Sequence, residues 1–263
     1  MSPEGFKRLK TWFKTYVSRY ISENPDDNHA IRLKDEHTFR VCGNIALLSK
    51  KSGLNSEDML LAKTMALLHD IGRFSQYRRY GTFSDRDSEN HAELGIAEIA
   101  AHEVLSFCRP PEIDLITSAI AHHNAAALPE IRDGRMLFFM RLLRDADKLD
   151  IWKVFCNYYR QCRLRPGGAP NQTIVLGLPD KPLCSPAVVA ALYERRYARL
   201  EDLRTLNDLK LLQISWVYDL NFQPSFKALH RRGYIDQIAA TLPSSEELNA
   251  PLKQIQAFIR SRV

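Results

Sequence analysis

Apolar residues recur at three- and four-residue intervals through most of this chain, which is the spacing of amphipathic helices. Over residues 5–21, Phe6, Leu9, Phe13, Val17 and Tyr20 form one stripe. A second helix is predicted over about 29–51, stopping at Gly53, where a left-handed cap fits. His37, Val41, Asn44 and Leu48 share its inward side. A third begins after Asn55, where "NSED" supplies a capping side chain and first-turn carboxylates. It runs through Met59, Leu60, Met65, Leu67 and Leu68 to His69–Asp70, and Gly72 is expected to loosen the chain there. The next fifteen or so residues, 74–88, read as a loop, long enough for a helical domain to suggest a functional role. Ser88 is placed to cap a helix that carries His91 in its first turn and continues through Ile99 to Leu105. "RPPEID" at 109–114 breaks and restarts the chain, and the helix it opens ends at His122–His123. One more starts near Asp133 and presents Asp147 at its middle.

Residues 163–186 break the pattern, being rich in Pro and Gly, with "TIVLGL" as a short candidate strand in a long connection. Helical spacing returns over 186–262, in "VVAALYERRYARL", "DLKLLQISWVYDL", "SFKALHRRGYIDQIAATL" and "SEELNAPLKQIQAFIRS". Trp216, Val217, Leu220, Phe222 and Phe226 are expected in the core or at a contact between lobes. The fold class is therefore all-α. A helical core over 1–162, the connection 163–186 and a C-terminal helical lobe over 187–263 packed on the core make up the expected organisation.

Composition adds bounds rather than identity. At 263 residues, 45% apolar and 26% charged, the chain has ordinary globular usage and enough length to bury a sizeable core. No stretch approaches a membrane span, and the basic, amphipathic N-terminus lacks a signal-peptide core, so a cytoplasmic protein is expected. Cys42, Cys108, Cys156, Cys162 and Cys184 are odd in number and widely scattered, which fits small buried hydrophobes in a reducing compartment. The net charge of +6 permits an anionic partner. Arg195–Arg196 and Arg231–Arg232 read as solvated helix faces, whereas Arg78–Arg79 in the basic, aromatic 74–88 stretch is a candidate phosphate clamp.

The chemistry concentrates in one ordered set. His37, His69–Asp70, His91, His122–His123 and Asp147 contain five of the eight histidines, and each lies at or near the end of an apolar helical run. Imidazole with carboxylate suits Zn, Mn, Fe or Ni, and one carboxylate can bridge two ions. Adjacent His122 and His123 point about 100° apart on a helix, so both reach one centre only at a frayed end. "HHNAAALP" supplies such an end. His29, His102 and His230 are left as core or surface residues.

The order His, His-Asp, His, His-His, Asp, with "LLHDIGRF" at 67–74 and "RDADKLD" closing it, resembles the HD superfamily of metal-dependent phosphohydrolases. The resemblance implies a helical bundle and two divalent transition-metal ions. Residues matching His37, His69, Asp70 and Asp147 would hold the first ion. The second would share Asp70 and take His91, His122 and His123. Asp147 is preferred over Asp145 and Asp150 because it is the second aspartate of the closing motif. Many relatives carry Lys three residues after the motif aspartate; Arg73 stands there in this chain and keeps the charge in a bidentate form. Arg73, Arg78, Arg79 and Lys148 are the expected partners of substrate phosphate, with Asp70, Arg73 and Lys148 as the catalytic set.

Implied too is a small phosphorylated substrate, most of all a nucleotide, cleaved as a phosphomonoester or phosphodiester. Relatives that cleave cyclic di-GMP have Glu after the His-His pair and a Gly-Tyr-Pro stretch; "HHNAAALPEIRDG" has neither, which argues against that substrate. Nucleic acid is an alternative, because the nuclease domains of CRISPR interference machinery share the seven-residue order. Two other readings use the same scaffold. A di-iron oxygenase similar to myo-inositol oxygenase usually has one histidine at the position of the His-His pair. A non-catalytic signal-binding module would show lost ligands, and none is missing here.

Overall fold

Most helices form where an apolar stripe meets a start signal. The computed structural model describes residues 1–23, 25–164 and 172–263, and every regular element among them is helical. Helix α1 (Pro3–Ser18) starts at Ser2, whose side chain accepts from the Gly5 amide, and buries Phe6, Leu9, Phe13, Tyr16 and Val17. Helix α2 (Pro25–Lys51) stops short of Gly53, whose φ of 74° is the left-handed conformation the sequence suggested. Helix α3 (Ser56–Leu68) begins at Asn55, whose side-chain oxygen accepts from the Asp58 amide at 2.8 Å. Asn55→Ala is expected to cost about 1 kcal/mol, the worth of one such cap. A urea titration would read this as a lower midpoint with unchanged slope; an unmoved midpoint would show the cap is idle.

Helix α3 is buried on nearly every side over its last two turns, as a central segment must be. Leu61, Ala62, Met65, Ala66, Leu67 and Leu68 are all inaccessible to solvent. It packs against α1, α2 and α6 (Pro110–Ala121), so its C-terminal end, where His69 and Asp70 emerge, is fixed from three directions.

Segment 74–88 departs from expectation. Most of its first half is helix α4 (Gly72–Tyr80), which buries Phe74, Ser75 and Gln76 and ends at left-handed Gly81. A short 3-10 turn at Asp85–Asp87 follows, and only the stretch from Gly81 to Asn90 is a connection. The helix forms because Phe74 has a core to enter, between Phe13 (5.9 Å) and Tyr20 (6.0 Å). Gly72 does not loosen the chain but opens α4, and its missing side chain lets the backbone of α5 (His91–Ala101) lie against it. Asn90, not Ser88, caps α5 by accepting from the Ala92 amide. The helix ends at Ala101 rather than Leu105, just before Glu103 takes a positive φ of 47°. Ser88 is engaged elsewhere, donating to the Ser84 carbonyl and accepting from Gln76.

Helix α7 (Gly134–Leu164) is continuous, but the chain divides within it into two compact units, Met1–Asp147 and Lys148–Val263. In the second unit, "TIVLGL" supplies no strand: Gln172–Val175 is a short helix, α8, followed by a turn. The part of the expected connection at 165–171 lies outside the described residues. Helix α9 (Pro186–Tyr193) is shorter than its apolar pattern. Helix α10 (Leu206–Ser215) passes into a 3-10 turn at Trp216–Asp219. The predicted helix around "SFKALHRRGYIDQIAATL" is two, α11 (Gln223–Arg232) and α12 (Tyr234–Ala239), because Gly233 adopts φ 62° between them. Helix α13 (Glu246–Arg262) closes the unit against α9 and α11. Val217, Leu220 and Phe226 are buried as expected, while Trp216 and Phe222 are partly exposed. Buried Asp208 organises this unit, accepting from the Ser185 amide and hydroxyl and from the amides of Arg204 and Thr205. No helix among the described residues is long and apolar enough to cross a membrane.

Candidate metal centre

Five elements of the first unit deliver their polar residues to one buried point. α2 brings His37, the end of α3 brings His69 and Asp70, and the first residue of α5 is His91. The turn after α6 brings His123, and α7 brings Asp147. His37, His69, His91 and Asp70 are each under 5% exposed, and His123 is 5% exposed.

Asp70 divides the set. Its Oδ2 lies 3.6 Å from His37 Nε2 and 3.7 Å from His69 Nε2. Its Oδ1 lies 3.3 Å from His91 Nε2 and 3.7 Å from His123 Nε2. Asp147 Oδ1 joins the first side, 3.1 Å from His37 Nε2 and 3.6 Å from His69 Nε2. Three groupings here could each hold a metal ion: His37–His69–Asp70, His69–His123–Asp147 and Asp70–His91–His123.

The protons of the imidazoles are held on the far side of the rings. His69 Nδ1 donates to the Ala66 carbonyl at 2.8 Å and His123 Nδ1 to that of Ile120 at 2.7 Å. His91 Nδ1 donates to the Asp85 carboxylate at 2.7 Å. A carbonyl only accepts, so Nε2 in His69 and His123 is left with a lone pair, the tautomer a metal needs. His91 Nε2 and His123 Nε2 then face each other at 3.0 Å as two acceptors. Asp147 Oδ1 is buried and accepts no hydrogen bond. Converging lone pairs and an orphaned carboxylate oxygen are what a cation between them would satisfy, so the donor set fits a divalent metal.

Electrostatics agree. Burial alone would raise the Asp70 carboxyl, but Lys34, His69, His123 and Arg73 outweigh it and hold the group well below the usual carboxylate range. Asp147 is held low in the same way, with His37 and His69 overcoming its burial. His91 is pushed down to about 3, by burial first and by Arg73 next, against the opposing pull of Asp85. It is a neutral imidazole at physiological pH.

Six of the seven residues expected from sequence therefore meet. His122 does not join them: it is half-exposed, and its Nδ1 donates to the Ser118 carbonyl. Helix α6 ends at Ala121, and neighbouring residues point in different directions, so only His123 faces the cluster. The expected phosphate partners are dispersed. Arg73 Nη1 donates to Gln76 Oε1, the Phe83 carbonyl and Asp85 at 2.8, 2.5 and 2.7 Å. Arg78 and Arg79 are exposed in the last turn of α4, and Lys148 pairs with Asp219 at 2.6 Å.

Several supporting residues escaped the sequence reading. Asp85 orients His91, and Gln76 and Asn124 in turn donate to Asp85. Arg144 Nη1 donates to the carbonyls of His122, His123 and Ala125, pinning the turn that carries His123. Lys34 Nζ contacts Asp70 Oδ2 at 2.8 Å. Lys34 lay three residues before His37, a helical-face signal that could have found it. Asp85 had no such signal. Asp85→Ala is expected to weaken metal binding about 10- to 100-fold, the usual effect of removing a histidine's orienting carboxylate. A chelator competition titration checks this; unchanged affinity would show that His91 holds its orientation unaided.

Residues 35–152 match the family model described as HD domain, while no curated protein and no solved structure matches. That segment, a little under half of the chain, spans all the converging residues, from His37 to Asp147, and the match is consistent with an HD-superfamily metal-dependent phosphohydrolase domain.

Proposed function

We propose that the chain is a phosphohydrolase that holds two divalent metal ions and cleaves a phosphomonoester or phosphodiester, most of all of a small nucleotide. The observation that carries this reading is the division of the donors by the two oxygens of Asp70. His37, His69, Asp147 and Asp70 Oδ2 make one set, and His91, His123 and Asp70 Oδ1 the other. When bound, such a pair of ions supplies an acidified water as nucleophile and a clamp for phosphoryl oxygens. The chain's own residues do the positioning: Asp85 and the Ala66 and Ile120 carbonyls keep imidazole protons on Nδ1 and lone pairs directed inward. Arg78 and Arg79 remain exposed cations suited to drawing in an anion. The test is hydrolysis of a panel of nucleoside phosphates, cyclic nucleotides, short oligonucleotides and p-nitrophenyl esters with Mn, Fe, Ni or Zn. Turnover that chelator abolishes is expected; no turnover from protein carrying two ions would refute the reading.

A second reading gains from one observation. Only His123 of the His-His pair reaches the cluster, so the objection that two histidines would crowd an open oxygen site loses force. Iron retained on purification, with oxygen uptake in place of phosphate release, would select a di-iron oxygenase.

A further inference from the structure

Lys34 lies one helical turn before His37 on α2, and its Nζ is 2.8 Å from Asp70 Oδ2. That is the oxygen facing His37 and His69. The ammonium therefore occupies the edge of the first donor set. Its side chain keeps 19% exposure, and Nζ also sits 5.3 Å over the Phe83 ring. The other cation at Asp70 is fixed: Arg73 Nε is 3.6 Å from Oδ1, while its Nη1 is tied to Gln76, Phe83 and Asp85. A guanidinium whose Nη1 is shared among three acceptors is less free to move toward a substrate than a lysine. A lysine has a flexible stem and a single compact charge with three donors.

We propose that Lys34 exchanges counter-ions: it neutralises Asp70 while the pocket is without metal, and grips a phosphoryl oxygen of the substrate once metal engages that carboxylate. The inference rests on the metal-dependent reading above. Two like charges cannot share one carboxylate oxygen at contact distance without strong repulsion in a partly dry site. Lys34 must then swing away from Asp70 on its flexible, partly exposed stem, where a bound phosphoryl group offers the replacement anion. Lys34 thus competes with metal for Asp70 and co-operates with it for phosphate. Removing the charge should move the two affinities in opposite directions, which a merely structural lysine would not do.

The experiment compares wild type, Lys34→Met and Lys34→Arg, each checked for native circular dichroism. Manganese affinity is measured by chelator competition without phosphate, and inorganic phosphate affinity by calorimetry on the manganese-loaded proteins. Lys34→Met is expected to bind manganese at least as tightly as wild type and phosphate about tenfold or more weakly, the worth of one charge-assisted hydrogen bond. Lys34→Arg is expected to recover most of the phosphate affinity. Unchanged phosphate affinity in Lys34→Met overturns the proposal, and so does weaker manganese binding, which would make Lys34 a support of Asp70 rather than its competitor. Wild type that binds no manganese sinks the metal reading along with it, whereas wild type that binds both ligands indifferently to position 34 sinks this proposal alone.

Discussion

Asp70→Ala is expected, on the proposed two-ion reading, to empty both metal positions at once, taking metal content from about two ions per chain to nearly none and hydrolysis down by more than about 1,000-fold. Its two oxygens face two different pairs of histidines, His37 with His69 and His91 with His123, at 3.3 to 3.7 Å. Losing the side chain removes a ligand from each set and the negative charge that offsets two cations. A metal ion supplies several kcal/mol of charge stabilisation to the reaction, and about 1.4 kcal/mol is a tenfold change in rate. Asp147→Ala is the comparison, because the nearest contacts of Asp147 Oδ1, at 3.1 and 3.6 Å, are to His37 and His69. It should remove about one ion and spare the other. Plasma mass spectrometry on chelator-free preparations reads both variants. Full metal content in Asp70→Ala would end the idea of a bridged centre, and equal losses in the two variants would show that the sets are not separable.

The second large effect concerns a residue with no chemistry of its own. A Cβ added at Gly72 would lie 2.2 Å from the His91 carbonyl oxygen and 2.5 Å from the Gly95 amide nitrogen. Both are backbone atoms of α5, so no side-chain rotation relieves the clash, and α4 and α5 must separate. Overpacking a close contact costs about 1–3 kcal/mol, and a backbone clash belongs at or above the top of that range. The separation also withdraws His91 from Asp70 and His123, which now lie 3.3 and 3.0 Å from its Nε2. Gly72→Ala is therefore expected to lower stability by about 3 kcal/mol or more and to lose the ion on the His91 side first. Gly43→Ala is the control. Its Cβ would meet nothing within 4 Å at an exposed position of α2, so it should stabilise by about 0.5–1 kcal/mol through helix propensity alone. Urea denaturation with metal analysis distinguishes the two. A Gly72→Ala protein as stable as wild type would mean that the α4–α5 contact has slack.

What could be read along the chain was whatever depends on local periodicity and residue type. Helices α1, α2, α3, α6 and α7 announced themselves because each has a continuous apolar stripe and a start signal within a few residues. His37, His69, Asp70, His91, His123 and Asp147 stood out because they are uncommon residue types on such stripes, in an order shared with a known superfamily. Helix α4 was missed because its nine residues are mostly polar, and only the aromatic pocket around Phe74 makes it a helix. The break at Gly233 was missed for a related reason: apolar residues continue at helical spacing on both sides of it.

Most of the helices, their class and the identity of the candidate metal-ligand residues followed from the order of residues, since propensity, capping and hydrophobic spacing act over a few positions. Tertiary packing decided which of two adjacent histidines faces the centre, that Asp85 orients His91, that Arg73 is tied down and that Lys34 sits against Asp70. Among those contacts, Lys34 with Asp70 and Asp70 with His123 join residues 36 and 53 positions apart. Their distances depend on how closely backbones approach, as at Gly72, and no local pattern encodes that.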